Sequence, residues 1–356
     1  MSAIRLPRME LWRHDLVGCL HTSIASLLLY HGHDPTVVLG AAWDFYYPPG
    51  DARPEEYYYP CRWGSLVESL APFHPVSSRW HVPDDPADAW TRVRDSVDGG
   101  EPAIVAVDNY FLPFRPAYRD VHSAHLVVVY GYDDEANQAY VLDAVPPAYK
   151  GPLSLDELDA ARGSGNTVEN ERDWFFAGSA IEHKILEISF GDSFPELTPD
   201  WVGGVLDDNV ARFRRDDDHA FAGLPGLARY ARTVVERCDA GDGEDALEEL
   251  FAVGAIALDS TALHAEFLYT ASHRLGMEPL ARLGRRVDRL AHHWTAIRIH
   301  AAKGRWEPRA MAPRLEARFA ALLADHDAVL AQATAVARSL RSDASEHTRT
   351  DAVPRP

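Results

Sequence analysis

The sequence predicts an α+β fold, with helices and antiparallel strands over residues 1–195, a mostly α-helical domain over 196–341 and a disordered tail over 342–356. Three observations carry that reading. From Cys19 to Tyr30 apolar residues recur at roughly helical spacing between two loop-forming glycines, Gly18 and Gly32. From Pro102 to Asp143 the period shortens to that of strands, and the turn residues Asp133-Asp134-Glu135-Ala136-Asn137 separate two apolar runs. Beyond residue 202 the pattern is helical almost throughout.

Taken in order, residues 1–12 read as an entry strand or arm, and the loop Arg13-His14-Asp15-Leu16-Val17-Gly18 leads into the helix that Cys19 opens. His33-Asp34-Pro35 starts a short segment through Leu39. Next comes an aromatic, proline-rich passage, Trp43-Asp44-Phe45-Tyr46-Tyr47-Pro48-Pro49 and then Tyr57-Tyr58-Tyr59-Pro60. Its rings are expected to pack a loop against the core, with the lining of a substrate cleft as the other use. Trp63-Gly64-Ser65-Leu66-Val67-Glu68-Ser69-Leu70 reads as a short helix with Ser65 as its start signal. Residues 85–98 form a helix with Trp90, Val93 and Val97 on one face and Gly99-Gly100 as its stop.

Pro102-Ala103-Ile104-Val105-Ala106-Val107-Asp108 is a strand-length apolar run, and residues 124–132 and 138–143 are the two arms of a hairpin. Ser154 with Asp156 and Glu157 marks a helix start. Ile185–Phe190 reads as a closing strand, and Pro195 with Pro199-Asp200-Trp201 places a linker over 191–202. Helices are then expected over 219–239, 243–275, 277–303 and 311–341.

Composition narrows the function classes. The chain has 356 residues, 46% apolar and 25% charged, with a formal net charge of −19. So acidic a chain is poorly suited to nucleic acid as its main partner, because such binding draws on neutralising phosphates. No eighteen-residue apolar run suggests a membrane span, and the first residues lack a signal-peptide core, so a cytoplasmic protein is expected. Three cysteines, Cys19, Cys61 and Cys238, are too few and too far apart for a disulfide framework, and no close Cys/His set has zinc-site spacing. His292 and His293 beside Trp294 read as helix residues. Neither metal nor cofactor is expected.

The chemistry-bearing residues fall in a telling order. Cys19 stands at a helix N-terminus, where unpaired backbone N–H groups and the positive end of the dipole favour a thiolate. His125 opens the first hairpin strand, and Asp143 closes the second. A thiol, an imidazole that takes its proton and a carboxylate that orients the imidazole are what nucleophilic catalysis needs. His122 is the weaker candidate for the base, since it lies in loop, whereas a histidine with no task at the head of an apolar strand would cost desolvation.

These residues carry a resemblance. The thiol opening the first long helix, the Trp63-Gly64-Ser65-Leu66 segment, Val107-Asp108-Asn109-Tyr110-Phe111-Leu112-Pro113-Phe114, the strand from His125 and the strand ending at Asp143 resemble the N-terminal domain of the butirosin biosynthesis protein H family. More distantly they are similar to the bacteriocin-processing cysteine peptidases of ABC exporters and to papain-like folds in general. The resemblance covers residues 10–190. It implies a papain-like domain with Cys19, His125 and Asp143 as nucleophile, base and orienter, and acyl transfer through a cysteine thioester. The implied donor is an acyl or aminoacyl thioester on an acyl or peptidyl carrier protein, with aminoacyl-tRNA as the alternative; the implied acceptor is a small-molecule amine or hydroxyl. Papain-like enzymes place an oxyanion-hole glutamine six residues before the cysteine. Here that position is Arg13, so the Cys19 N–H is one donor and His14 is a guess for the second.

Two other readings share these residues: a peptidase or amidase, in which water resolves the acyl-enzyme, and a binding module with no chemistry. The helical part is expected to cover the cleft and exclude water. Within it, residues 274–314 carry ten basic against three acidic side chains. This is either a solvated helix face or a docking surface for an acidic carrier.

Overall fold

The computed structural model describes residues 3–51, 53, 55–62, 64–174 and 176–350. In chain order the elements are β1 (Ala3–Arg5), α1 (Cys19–Tyr30), α2 (Pro35–Leu39), β2 (Tyr46–Tyr47), α3 (Leu66–Leu70), β3 (Val76–His81), α4 (Pro86–Asp98), β4 (Ala103–Asp108), β5 (Ala124–Asp133), β6 (Gln138–Asp143), β7 (Tyr149–Ser154) and α5 (Leu155–Arg162). They continue with β8 (Ile185–Phe190), α6 (Pro199–Arg214), β9 (Phe221–Ala222), α7 (Gly223–Ala240), α8 (Gly243–Leu275), α9 (Glu278–Gly304) and α10 (Pro308–Thr350). The chain forms two units, each discontinuous in sequence: Met1–Pro35, Ala52–Tyr59 and Val76–Phe190 make one, and Thr36–Asp51, Pro60–Pro75 and Gly191–Pro356 the other.

The first unit is built on an antiparallel sheet in the order β3-β8-β4-β5-β6-β7, with β1 paired to the far end of β5. Mixed α and β content, an antiparallel sheet and a helical C-terminal part all agree with the sequence reading. The β5–β6 hairpin pairs Val128 with Leu142 and Asp133 with Gln138, with a bulge between Val129 and Gly131. Its turn is closed by the Asp133 carboxylate, which accepts the Glu135 and Ala136 amides at 3.0 Å each. At Gly131 a Cβ would meet the Ile4 carbonyl at 2.6 Å, so the close approach of β1 requires glycine.

Alternation along the strands divides the core. Val105, Val107, Val127, Val129 and Val141 pack with Val93 of α4 and Leu158 and Ala161 of α5. The alternate residues Ile104, Ala106, Leu126, Val128 and Leu142 are equally buried, so the sheet is covered on both faces. Helix α1 packs on β5 and β6. It runs to Tyr30 and stops where Gly32 adopts φ +80°, as its flanking glycines predict.

Two strands of this sheet were not legible, nor were the short β2 and β9, which pair with each other where a loop and the start of a helix were expected. β7 contains Gly151 and Pro152 and forms the sheet edge, the one place where a strand tolerates proline. β3, Val-Ser-Ser-Arg-Trp-His, has one fully buried residue and forms the sheet edge beside β8, so it lacks an apolar run.

In the second unit, α8 packs along α9, and α10 packs on α6, α7 and α9. The aromatic passage serves the core here: the Trp43 ring lies between His264 and His326, with centroids 4.8 and 5.2 Å away, and its indole N–H donates to Thr261. Helix α6 begins inside the expected linker, at Pro199. Thr198 caps it by accepting the Trp201 amide, Pro199 suits its first turn, and Val202, Val205, Leu206 and Phe213 are buried. α10 continues to Thr350, into the segment expected to be a tail, and residues 351–356 lie outside the described ones, as does Trp63. Ser65 caps α3 as expected. Among the described residues no helix is long and apolar enough to cross a membrane.

Candidate active site

Cys19 is the first residue of α1 and has no solvent exposure. Gly18 precedes it in extended conformation with no side-chain cap, so the amides of the first turn lack intrahelical acceptors. Thr22, one turn on, spends its hydroxyl on the Gly18 and Cys19 carbonyls and leaves those amides alone.

His125, fully buried, opens β5 opposite Val107 of β4, and its Nε2 donates to Asp143 Oδ2 at 2.9 Å. Asp143 is held in turn: Arg115 Nη1 donates to Oδ2 at 3.3 Å, and the Val145 amide donates to Oδ1 at 3.0 Å. The histidine is therefore held at Nε2, and Nδ1 is the ring nitrogen that Asp143 does not occupy. The Cys19 sulfur lies within 4.8 Å of a His125 ring nitrogen, and His125 and the Leu126 backbone both act to lower the thiol. The three sequence-derived residues thus converge, with imidazole between thiol and carboxylate.

A fourth residue was not legible. Glu56 Oε2 accepts from His125 Nδ1 at 2.7 Å, and the ligating atoms of Cys19, Glu56 and His125 all lie within 4.8 Å of one another. Its neighbours fix the segment: Glu55 accepts from Ser179 and Lys184 at 2.8 and 3.2 Å, and Tyr57 packs on Trp80. Glu56 lies 69 positions from His125 in a passage with no periodicity, so no local signal marks it. Arg115, beyond the Phe114 of the quoted motif, was missed for the same reason.

The electrostatics differ from what a helix N-terminus alone would give. Burial pushes the Cys19 thiol up to about 12, the Glu56 carboxylate adds to this, and His125 only partly opposes it. Burial alone would lower His125, yet Asp143, Cys19 and Glu56 lift it well above the ordinary imidazole value. Burial would raise Glu56, but His125 and Arg115 hold it below the usual carboxylate range. Since carboxylates only accept, two such bonds require a proton on each ring nitrogen. The resting arrangement is a protonated thiol beside an imidazolium clamped by two carboxylates.

His122 is engaged elsewhere. Its Nδ1 donates to Asp108 at 2.7 Å, and its ring stacks on Tyr110 at 4.2 Å. The fully buried Asp108 also accepts from Ser164 Oγ at 2.6 Å and from the amides of Tyr110 and Ser123. This network ties the loop before β5 to the end of β4, which sets where His125 begins. His14 Nδ1 accepts the Leu16 amide, so a neutral His14 ring carries its proton on Nε2. In the basic stretch, Arg282 and Arg285 pair with Glu278, and Arg305 pairs with Glu244.

Comparison with the curated proteins gives no match. The family described as Butirosin biosynthesis protein H, N-terminal, matches residues 18–144, from the glycine before Cys19 to the residue after Asp143. The part of the chain carrying Cys19, Glu56, His125 and Asp143 is thus similar to this family's N-terminal domain.

Proposed function

We propose that the chain is an antibiotic-biosynthetic acyltransferase with a papain-like first unit, in which Cys19 carries the acyl group, His125 moves protons and Asp143 orients His125. The observation that supports this most is the juxtaposition of the Cys19 sulfur, within 4.8 Å of a His125 ring nitrogen, with a His125 ring whose Nε2 lies 2.9 Å from Asp143 Oδ2. The match to a family named for butirosin biosynthesis supports the pathway class.

Activation begins when Glu56 withdraws, taking the Nδ1 proton with it. One proton then remains between sulfur and imidazole, and it passes from Cys19 to Nδ1 to give a thiolate–imidazolium pair. The thiolate forms a bond to the carbonyl carbon of a carrier-bound acyl or aminoacyl thioester. The resulting oxyanion is received by the Cys19 amide, with His14 Nε2 as a second donor. Collapse breaks the donor's C–S bond, and the carrier thiolate takes the proton from His125. An amine or hydroxyl acceptor then attacks the Cys19 thioester and gives its proton to His125, and the Cys19 thiolate leaves. Three free cysteines suit a reducing compartment, and we place the enzyme in the cytoplasm.

Intact mass spectrometry of wild type and Cys19→Ala, incubated with acyl and aminoacyl pantetheine thioesters with and without amines, tests the reading. The expected result is an adduct on wild type, absent from the variant, that discharges faster to amine than to water. Discharge to water alone would make the chain a hydrolase. No adduct with any donor, together with ordinary alkylation at Cys19, would leave a binding module.

A further inference from the structure

The same cluster has the composition of a metal site. Sulfur, imidazole nitrogen and carboxylate oxygen lie within 4.8 Å of one another, and this donor set suits zinc better than calcium or magnesium, which take oxygen ligands. A tetrahedral zinc ion sets its donors about 3.4–3.7 Å apart. From the present 2.7 Å between Glu56 Oε2 and His125 Nδ1, the carboxylate would have to retreat by less than about 1 Å.

The outer arrangement fits as well. Asp143 takes the Nε2 hydrogen, as carboxylates do behind zinc-bound histidines, and Arg115 and the Val145 amide hold Asp143 in place. Cys19 and His125 are closed off, whereas the Glu56 side chain is 21% exposed, which leaves one side for entry and a fourth position. A thiolate and a carboxylate together neutralise the ion.

We propose that Cys19, Glu56 and His125 form a zinc-binding site that silences the nucleophile. Binding forms Zn–S, Zn–N and Zn–O bonds and releases the thiol proton and the Nδ1 proton to water. The consequence for activity rests on the acyltransferase reading; the site itself does not.

Cobalt titration of the chelator-stripped full chain tests the site. The expected result is a thiolate-to-cobalt charge-transfer band with tetrahedral visible bands, displaced by stoichiometric zinc. The charge-transfer band should be absent in Cys19→Ala and retained in Cys61→Ala and Cys238→Ala. Glu56→Gln should weaken cobalt affinity by at least about tenfold. No band on folded wild type, or a band that survives in folded Cys19→Ala, would overturn the site. In parallel, thioester adduct formation on Cys19 is measured in chelator and after zinc loading. Adducts in chelator that disappear with zinc support both readings. Adducts without a cobalt band overturn the zinc site alone, and a cobalt band without adducts in chelator overturns the acyltransferase reading alone.

Discussion

Replacing Glu56 with glutamine should make Cys19 more reactive, although it removes a hydrogen bond of 2.7 Å at the site. The carboxylate raises the thiol by like-charge repulsion and holds the second proton on His125. At an effective dielectric of about 20, unit charges at the 4.8 Å outer limit of this cluster interact by roughly 3.5 kcal/mol, or about 2.5 pKa units. Because Glu56 is 21% exposed, water screens part of this, and a fall of about 1–2 units in the thiol is the reasonable expectation. Each unit raises the thiolate fraction tenfold at neutral pH but lowers intrinsic nucleophilicity by a factor of about 3. The net gain is therefore roughly 3- to 12-fold in alkylation rate. The assay is the pH dependence of iodoacetamide labelling at Cys19, read by peptide mass in wild type and Glu56→Gln. The variant's profile should also shift to lower pH, since His125 loses one of its two carboxylate partners. Unchanged or slower labelling at every pH, in a variant with wild-type circular dichroism, would refute the account of Glu56 as the group that holds the thiol protonated.

Other expectations follow from the same geometry. Asp143→Asn should cut thioester acylation of Cys19 on the order of 10³-fold while the fold survives, because His125 loses the partner that fixes its Nε2 hydrogen; stopped-flow acylation reads this. His122→Ala should leave the pH profile of Cys19 labelling in place. By contrast Asp108→Ala, which strands a histidine, a serine and two amides, should cost about 3 kcal/mol or more in urea unfolding. In the second unit, burial lowers His264 to about 4 and His326 to about 3 from the ordinary imidazole value of 6.5. A depressed histidine contributes stability that is present above 6.5 and lost as pH falls through the folded value. The loss from His264 alone is roughly 3 kcal/mol by about pH 4. Urea titrations followed by circular dichroism should show it, with a shallower pH dependence in His326→Phe; a flat response between pH 7 and about 4 would contradict the burial of these rings.

The elements that position Cys19, His125 and Asp143 were determined locally, and so they could be read from the chain. The glycines around α1, the turn chemistry at Asp133–Asn137 and the strand-length apolar runs of β4, β5 and β6 are properties of neighbouring residues, and the structure places these elements within a few residues of their expected bounds. Helix α6 and the edge strand β7 were harder, because glycine and proline interrupt them and burial or edge position, which sequence spacing does not reveal, lets them form. The pairing of segments 36–51 and 60–75 with the C-terminal helices, while 52–59 joins the first unit, has no local signature. Nor has the arrival of Glu56 at the Nδ1 of a histidine 69 residues away. Composition and periodicity report what each residue does for its own helix or strand. The charge state of Cys19 depends on which carboxylate the tertiary fold brings beside it and how completely water is excluded, and only the three-dimensional arrangement decides that.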